Sequence, residues 1–588
     1  MVGNLVKTLF KILCEEDDNE SSIGFLEGGE GEGGTPVHAA AQSLDSLALH
    51  LPPDKLLAEL LPLIQPVFST GNPLQVKGAY LSLAMVAEGC ADTLRHKHLH
   101  QLLQCICQGI TSEIQIIRNS ALYSLGQFAE HLQPDISKYH TELLPVLFEY
   151  LSQTCNMVRN GGKEPIGVDR MFYALEVFCE HLEDELLPHL PTLMDRLFAV
   201  LASHASVHMK ELVISAIGAA ANAAREHMVP YFQQVIELLK GYLTQDQTDD
   251  TMSLQVQSLD TLGQLSRSMG PDHFRQYAGD CMQLGLGLLE RKDDPDLRRT
   301  CYLLFAALAS VVKGDLAPHL PKMIDYMLTS LRSTDGVVTL YKDEESGIPT
   351  TIEGLSESSS ENEAEVDLDG DDDEDNEDVA GYSVENSFLE EKEDTCVALR
   401  EISMHCGDSF VQYLDKCADE VYKMMNYPNE EVRQAAVGTM AQFAITLARS
   451  SVPEARAGFE KWIQVVVPKL SEIIRSDEER SVAMASLEAY AELLREAGPA
   501  VLQAQGHLEA IMNCVKEVMT KKTVCQDIAD EEDSGDEGEA EHDEMLIEYA
   551  GEIVPNLGKA LGHAEFAQHF PQLLPLFANK SVSLVMLN

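Results

Sequence analysis

One pattern of residues returns along this chain again and again. Aligned on a central position, its clear copies fall at Ala84, Leu125, Leu175, Ile217, Leu262, Phe305, Met440 and Leu487. The spacings are 41, 50, 42, 45 and 43 residues up to Phe305, then 47 from Met440 to Leu487. Weaker copies at Leu44, Leu399 and Gly551 bring the count to eleven. In stretches such as QVKGAYLSLAMVAEGC, IIRNSALYSLGQFAEHL and LQVQSLDTLGQLSRSMG, Leu, Ile and Val recur at helical spacing among Ala, Gly and Ser. That describes a helix with one apolar face which a neighbour can approach closely. A second apolar stripe precedes each copy, as in KLLAELLPLIQPVF and ELLPHLPTLMDRLFAVL. A helix pair of this size cannot bury its apolar face alone and must stack on its neighbours, so a fixed period of this length predicts a solenoid.

The connections support helix pairs. Pro188-His189-Leu190, Pro230-Tyr231-Phe232 and Pro318-His319-Leu320 read as openings of first helices, because proline in a first turn loses no hydrogen bond. Between the two helices, Asp294-Pro295-Asp296-Leu297-Arg298 and Asn429-Glu430-Glu431-Val432-Arg433 place a capping acid or amide ahead of an aliphatic residue and a base. The base is expected to bridge to an acid of the neighbouring repeat. No run of alternating apolar and polar residues reads as strand.

Charge narrows the choice of partner. The formal net charge is −54 over 588 residues. Eight acids lie in Glu15–Glu32, fourteen in Glu353–Asp378 and eleven in Asp527–Glu544, with no Lys or Arg in any of the three. Setting those 33 aside leaves 63 acids against 42 bases, so the repeats themselves are acidic. Direct binding of DNA or RNA is excluded on this ground, since phosphates require Lys and Arg. A basic partner is favoured by long-range attraction; acid also serves simply to keep an apolar-rich solenoid in solution. The 94 residues between Phe305 and Leu399 are one repeat plus roughly 50, and the excess has too little apolar surface to pack. It falls between the two helices of one repeat, as does the run DIADEEDSGDEGEAEHDE near the end.

The resulting organisation is a partial repeat helix with an acidic, Gly-rich loop at 1–34, repeats at 35–340 and a disordered acidic insertion at 341–381. Repeats resume at 382–525, an acidic loop covers 526–544, and 545–588 holds a partial repeat and a truncated end. The acidic loops carry Glu361, Asp371, Asp372, Asp373, Glu374 and Asp375 in the first case, and Glu531, Glu532 and Asp533 in the second. They could lie along the groove, wrap a basic ligand, or be passive. Ser360 and Ser534 each have an acid three residues on and look like acid-directed kinase sites.

Thirteen scattered cysteines without a paired framework point to a reducing compartment. No signal-peptide core and no run of 18 apolar residues occurs, so no membrane insertion is expected. In the run His96, His98 and His100, the first and last share a helix face but lack a third ligand for a metal. No phosphate loop, nucleophile elbow or zinc-spaced Cys pair is present, so neither an enzyme, a metal nor a cofactor is expected. The single Trp462 rules out a groove lined with Trp–Asn pairs. A ligand surface should therefore lie on the inner face formed by second helices. Its candidate residues are Glu88, Glu130, Glu176, Glu180, Asp260, Glu488 and Glu492, with Asn222 as an amide; carboxylates on rigid helices can pair with Lys or Arg of an extended peptide.

The Asp/Asn–x–Val/Leu–Arg turn inside a helix pair of this length resembles the HEAT repeat, which makes the fold class an all-α solenoid of about eleven HEAT repeats. The strings RKDDPDLRRTCYLLFAALA, GYSVENSFLEEKEDTCVALREIS and KKTVCQDIADEED resemble the importin-β family of nuclear transport receptors (karyopherin-β), in its importin-4 branch. The resemblance runs from about Thr35 to Phe577 in one order. It implies a receptor that binds basic protein cargo, histones and ribosomal proteins among it, and releases it on Ran-GTP binding. Docking to FG-repeat proteins of the nuclear pore and shuttling between cytoplasm and nucleus through the nuclear envelope are implied with it. Family members have about twice as many repeats, and their main Ran surface lies in N-terminal repeats. This chain thus looks like the central part of such a receptor, and no Ran-contacting residue is carried over. A static HEAT scaffold subunit and an acidic histone chaperone without a transport role are the alternatives.

Overall fold

The computed structural model describes residues 2–16, 35–69, 71–245, 249–291, 293–342, 349–350, 379–526 and 537–586. They divide into two compact units, Met1–Phe274 and Arg275–Asn588.

In the first unit, α1 (Val2–Leu13) pairs with α2 (Pro36–His50), and α3 (Pro53–Ile64) with α4 (Pro73–Met85). After the short α5 (Ala91–Lys97), α6 (Leu99–Ile110) pairs with α7 (Gln115–His131), α8 (His140–Arg159) with α9 (Val168–Glu180), and α10 (Leu190–Leu201) with α11 (Val207–Ala224). α12 (Val229–Leu243) is followed by α13 (Asp249–Leu289), which breaks into two arms at Gly270, where φ is 65° and ψ −177°. Only glycine adopts that backbone readily, and Pro271 then opens the next arm.

In the second unit that later arm precedes α14 (Pro295–Val312). There follow the pairs α15 (Leu320–Arg332) with α16 (Asn386–Cys406), α17 (Leu414–Met424) with α18 (Glu430–Arg449), and α19 (Pro453–Ser476) with α20 (Arg480–Ala497). α21 (His507–Met519) pairs with α22 (Glu537–Leu561), and α23 (His563–Met586) comes last. Eleven helix pairs can be laid out in this way along the described residues, in line with the periodicity. Pro230 does sit in the first turn of α12; Pro188 and Pro318 fall one turn early, and Pro191 and Pro321 take the first-turn positions of α10 and α15.

Within each unit, second helices of consecutive pairs pack closely side by side: α4 on α7, α7 on α9 and α9 on α11, then α14 on α16, α16 on α18 and α18 on α20. Consecutive first helices touch more lightly. A stack drawn together along one row curves toward that row, so second helices line the inner side of each unit. Small residues permit the approach, as in SAIGAAANAA of α11 and FAALAS of α14, and side chains such as Phe305, Phe172 and Phe443 are fully buried beside them. Each such burial contributes about 1.5–3 kcal/mol. Buried hydroxyls add hydrogen bonds from one second helix to a backbone carbonyl of the preceding one. Ser124 donates to Tyr80 (2.5 Å), Thr439 to Cys396 (2.8 Å) and Thr446 to Ser403 (3.3 Å).

The inter-helix turns behave as their residues dictate. Asp294 caps α14 by accepting from the Leu297 amide at 2.9 Å, and Asn429 caps α18 by accepting from Val432 at 2.9 Å. The base that follows each cap reaches the next repeat. Arg298 holds the buried Glu391 with Nε and Nη2 at 2.6 and 2.7 Å, and Arg433 holds Asp477 at 3.0 Å with both Nε and Nη2.

The long insertion emerges between α15 and α16. At its base β1 (Val337–Lys342) pairs antiparallel with β3 (Val379–Val384) and with β2 (Pro349–Thr350). Its run Val-Val-Thr-Leu-Tyr is β-branched and aromatic without alternating, a pattern that an alternation search passes over. Just beyond, the Lys392 ammonium donates to the carbonyls of Ser330, Leu331 and Ser333 at 3.0, 3.2 and 2.8 Å, closing the C-terminal end of α15. The acidic residues Glu361, Asp371, Asp372, Asp373, Glu374, Asp375, Glu531, Glu532 and Asp533, with Ser360 and Ser534, lie outside the described residues. Among the described residues, no helix is long and apolar enough to cross a membrane.

Candidate functional site

Most candidate residues in the first unit occupy the inner row, but many of their oxygens are already engaged. Tyr173 of α9 donates to Glu130 of α7. Ser215 of α11 donates to Glu176 of α9 at 2.9 Å, and Ser268 of α13 donates to Asn222 of α11 at 2.7 Å. Asp260 accepts from Gln264 one turn on, at 2.8 Å. Three of these bonds tie a second helix to the next one, which gives the side chains a structural task beside any role in binding. Burial, with a smaller contribution from Glu180, pushes the Glu176 carboxyl up to about 7, against the lowering effect of Ser215. Near neutral pH it is therefore partly protonated and a poor anchor for a base. Glu88 lies in the turn beyond α4, not within the helix, and Glu180 is exposed at the end of α9.

The second unit offers a more open arrangement. Three successive second helices, α16, α18 and α20, enclose a cleft of about 210 Å³. Its floor is cut by the small residues Ala435, Gly438, Ala485 and Ala489, and its rim carries Glu393, Glu431, Glu488 and Glu492. Glu393 and Val397 lie one turn apart on α16, with Arg400 on the next turn, which directs all three to one face. Glu488 and Glu492 are related in the same way on α20. Glu488 is exposed and makes no hydrogen bond or ion pair with the described residues. Burial and then the carboxylates of Asp394, Glu431 and Glu390 push the Glu393 carboxyl above its usual range. Carboxylates crowded in this way repel one another, and a cation placed among them relieves the repulsion.

Of the expected residues, then, the structure brings Glu488 and Glu492 together in one cleft and leaves Glu130, Glu176, Asn222 and Asp260 as partnered members of another row. Glu393, Glu431, Gln434 and Arg400, which complete the cleft, escaped the sequence reading. Glu431 sits in the first turn of its helix, nine residues ahead of Met440. The signal that could have found them is Gly438 followed by Ala485 and Ala489, small residues on facing positions of adjacent second helices.

Comparison with known proteins gives the arrangement a family. The chain is 40% identical to mouse importin-4 over 572 residues, covering 96% of this chain and 51% of that one. It is 39% identical to human importin-4 over 593 residues, covering 98% and 53%. A probable importin subunit beta-4 of Schizosaccharomyces pombe matches at 27% over 600 residues, 98% of this chain and 53% of its own. The chain therefore spans about half the length of the curated relatives it matches. No family model matches the chain. Among solved structures, the karyopherin Kap121p bound to the extreme C-terminus of the protein phosphatase Cdc14p superposes with a TM-score of 0.73 at 18% identity, covering 98% of this chain and 53% of that one. Kap121p bound to Nup53p gives 0.72 at 17% identity, covering 98% and 52%. These likenesses fix the fold as that of a karyopherin solenoid. With the repeat architecture, the two importin-4 sequences place the chain in the importin-β family, in its importin-4 branch.

Proposed function

We propose that this chain is the cargo-holding part of a nuclear import receptor, and that it grips basic segments of protein cargo along the inner row of second helices. The observation that carries this is the cleft between α16, α18 and α20, where four carboxylates face a floor of Ala and Gly. An extended peptide can lie across such a floor, since Ala and Gly add little bulk to it, and its Lys or Arg side chains meet Glu393, Glu431, Glu488 and Glu492. Kap121p, of the same fold, has been solved bound to several proteins, Pho4p and Nup53p among them. On this reading the cargo includes histones and ribosomal proteins, Ran-GTP releases it, FG-repeat pore proteins dock on the receptor, and the receptor shuttles between cytoplasm and nucleus. This chain takes part in that cycle through its cargo surface.

The test is binding of a fluorescent, lysine-rich histone-tail peptide near physiological salt, with and without Ran-GTP. Micromolar or tighter binding that falls steeply with salt is expected. Glu488→Lys and Glu492→Lys should each weaken it by about fivefold or more, since a partly exposed ion pair contributes up to about 1 kcal/mol and reversal adds repulsion. Equal binding by both charge-reversal variants would remove the cleft from the account.

A further inference from the structure

The acidic cleft already contains one base of its own. Arg400 starts on α16, crosses over α18 and reaches α20, two repeats on, where Nη2 donates to Glu492 Oε2 at 3.5 Å. It can cross because position 438 has no side chain. A Cβ built on Gly438 would stand 2.9 Å from Arg400 Nη1 and 3.4 Å from Cζ. Gly438 is therefore a notch in which the guanidinium lies. Glu492 is approached from the far side by Arg495 at 3.4 Å, whose Nε also donates to Glu496. Glu488, one turn before Glu492 on the same helix, has no such partner.

Three features together set Arg400 apart from an ordinary surface ion pair. It spans three helices, passing over α18 to reach an acid of α20. It rests in a notch that only glycine provides. Its bond to Glu492 is long and its side chain 41% exposed, so little energy holds it there. A group held weakly in a site built for its own kind of charge is easily replaced.

We propose that Arg400 is an intramolecular competitor for the cleft. In the unliganded chain it fills the place that a basic side chain of the cargo takes, and it swings out of the Gly438 notch when cargo pairs with Glu492 and Glu488. Arg400 then raises the threshold for binding, so that a single stray Lys or Arg does not hold while a ligand with several bases does. This rests on the cargo reading of the cleft and concerns its selectivity.

Two substitutions separate displacement from charge. Arg400→Gln empties the notch and removes one positive charge. Gly438→Ala pushes the guanidinium out and removes none; the cost to folding is small, since Ala is preferred to Gly within a helix. Arg495→Gln is the control, removing a base from the same carboxylate without opening the cleft. The probes are the lysine-rich histone-tail peptide and a variant of it with one lysine left, measured by fluorescence anisotropy on the full chain. Arg400→Gln and Gly438→Ala should both tighten binding about three- to fivefold, the scale of one exposed ion pair, and the gain should be larger for the single-lysine peptide. Arg495→Gln should change it by less than twofold. If Arg400→Gln and Arg495→Gln act alike while Gly438→Ala does nothing, only charge matters and the competitor is refuted. Weaker binding by Arg400→Gln would make Arg400 a ligand contact and equally overturn the proposal. If wild type binds and Glu488→Lys abolishes binding, the cargo reading stands whatever Arg400 does; if no variant binds either peptide, both readings fall. Binding by the Arg400→Gln chain alone would be the strongest support.

Discussion

The turn that leaves several of the second helices holds a testable strain. Four of these helices end with the same backbone shape: Arg225 at φ 47° and ψ −123°, Lys313 at 52° and −126°, Gly407 at 49° and −122°, and Gly498 at 57° and −134°. In each, the amide still donates to the helix carbonyl four residues back, and the chain then turns sharply into a short 3-10 segment. Glycine tolerates this region; an L side chain pays about 1–3 kcal/mol to occupy it. Replacing Lys313 by Gly releases that strain but adds about 0.5–1 kcal/mol of unfolded-state entropy. The net expectation is a local stabilisation of about 1 kcal/mol. The Lys313 side chain is exposed and without a hydrogen bond or ion pair to the described residues, so its loss subtracts little. Gly407→Ala should do the reverse. Its new Cβ meets nothing within 4 Å, leaving a pure backbone cost of about 1–2 kcal/mol. A repeat array does not unfold in one step, so the assay is hydrogen exchange of the junction peptides in the intact chain. Exchange around residue 313 should slow about fivefold in Lys313→Gly, and around residue 407 accelerate by at least that factor in Gly407→Ala, since 1.4 kcal/mol is a tenfold change. Two variants that shift exchange in the same direction would refute the argument, because nothing but backbone strain predicts opposite signs.

Further expectations follow from the packing. Glu176 holds a proton in the folded chain up to a pH of about 7, whereas the unfolded chain releases it near 4.5, so stability of the α9–α11 region falls as pH rises between those values, by about 3 kcal/mol in all. Glu176→Gln should abolish that slope in pH-dependent unfolding, and the variant should gain over wild type at pH 8 but not at pH 4. Arg298→Ala leaves the buried Glu391 without its bidentate partner and should destabilise the α14–α16 contact by about 3–5 kcal/mol, seen as loss of protection there; Arg298→Ala with Glu391→Met should recover most of it. Thr439→Val removes the hydroxyl bonded to the Cys396 carbonyl and should cost about 1–2 kcal/mol in the same exchange measurement.

Much of the architecture was legible in one dimension because a repeat repeats its physics. Apolar residues at helical spacing, Ala and Gly at close approaches, and the Asp294 and Asn429 caps each carry their meaning locally, so helix pairs, their number and the bridging role of Arg298 and Arg433 could be read before any coordinate. The strands at 337–342 and 379–384 could not, since their pairing joins segments some forty residues apart and neither alternates. The acids show the same division. Composition alone requires an acidic surface and favours a basic partner, because charge adds without regard to position. Which carboxylates are spoken for depends on partners about one repeat away: Tyr173 for Glu130, Ser215 for Glu176, Ser268 for the amide of Asn222. Only the stacking of α16, α18 and α20 decides that Glu393, Glu431, Glu488 and Glu492 share one cleft. Only the missing side chain at Gly438 decides that Arg400 lies across it, for a notch exists between helices and has no counterpart in the order of residues along one of them.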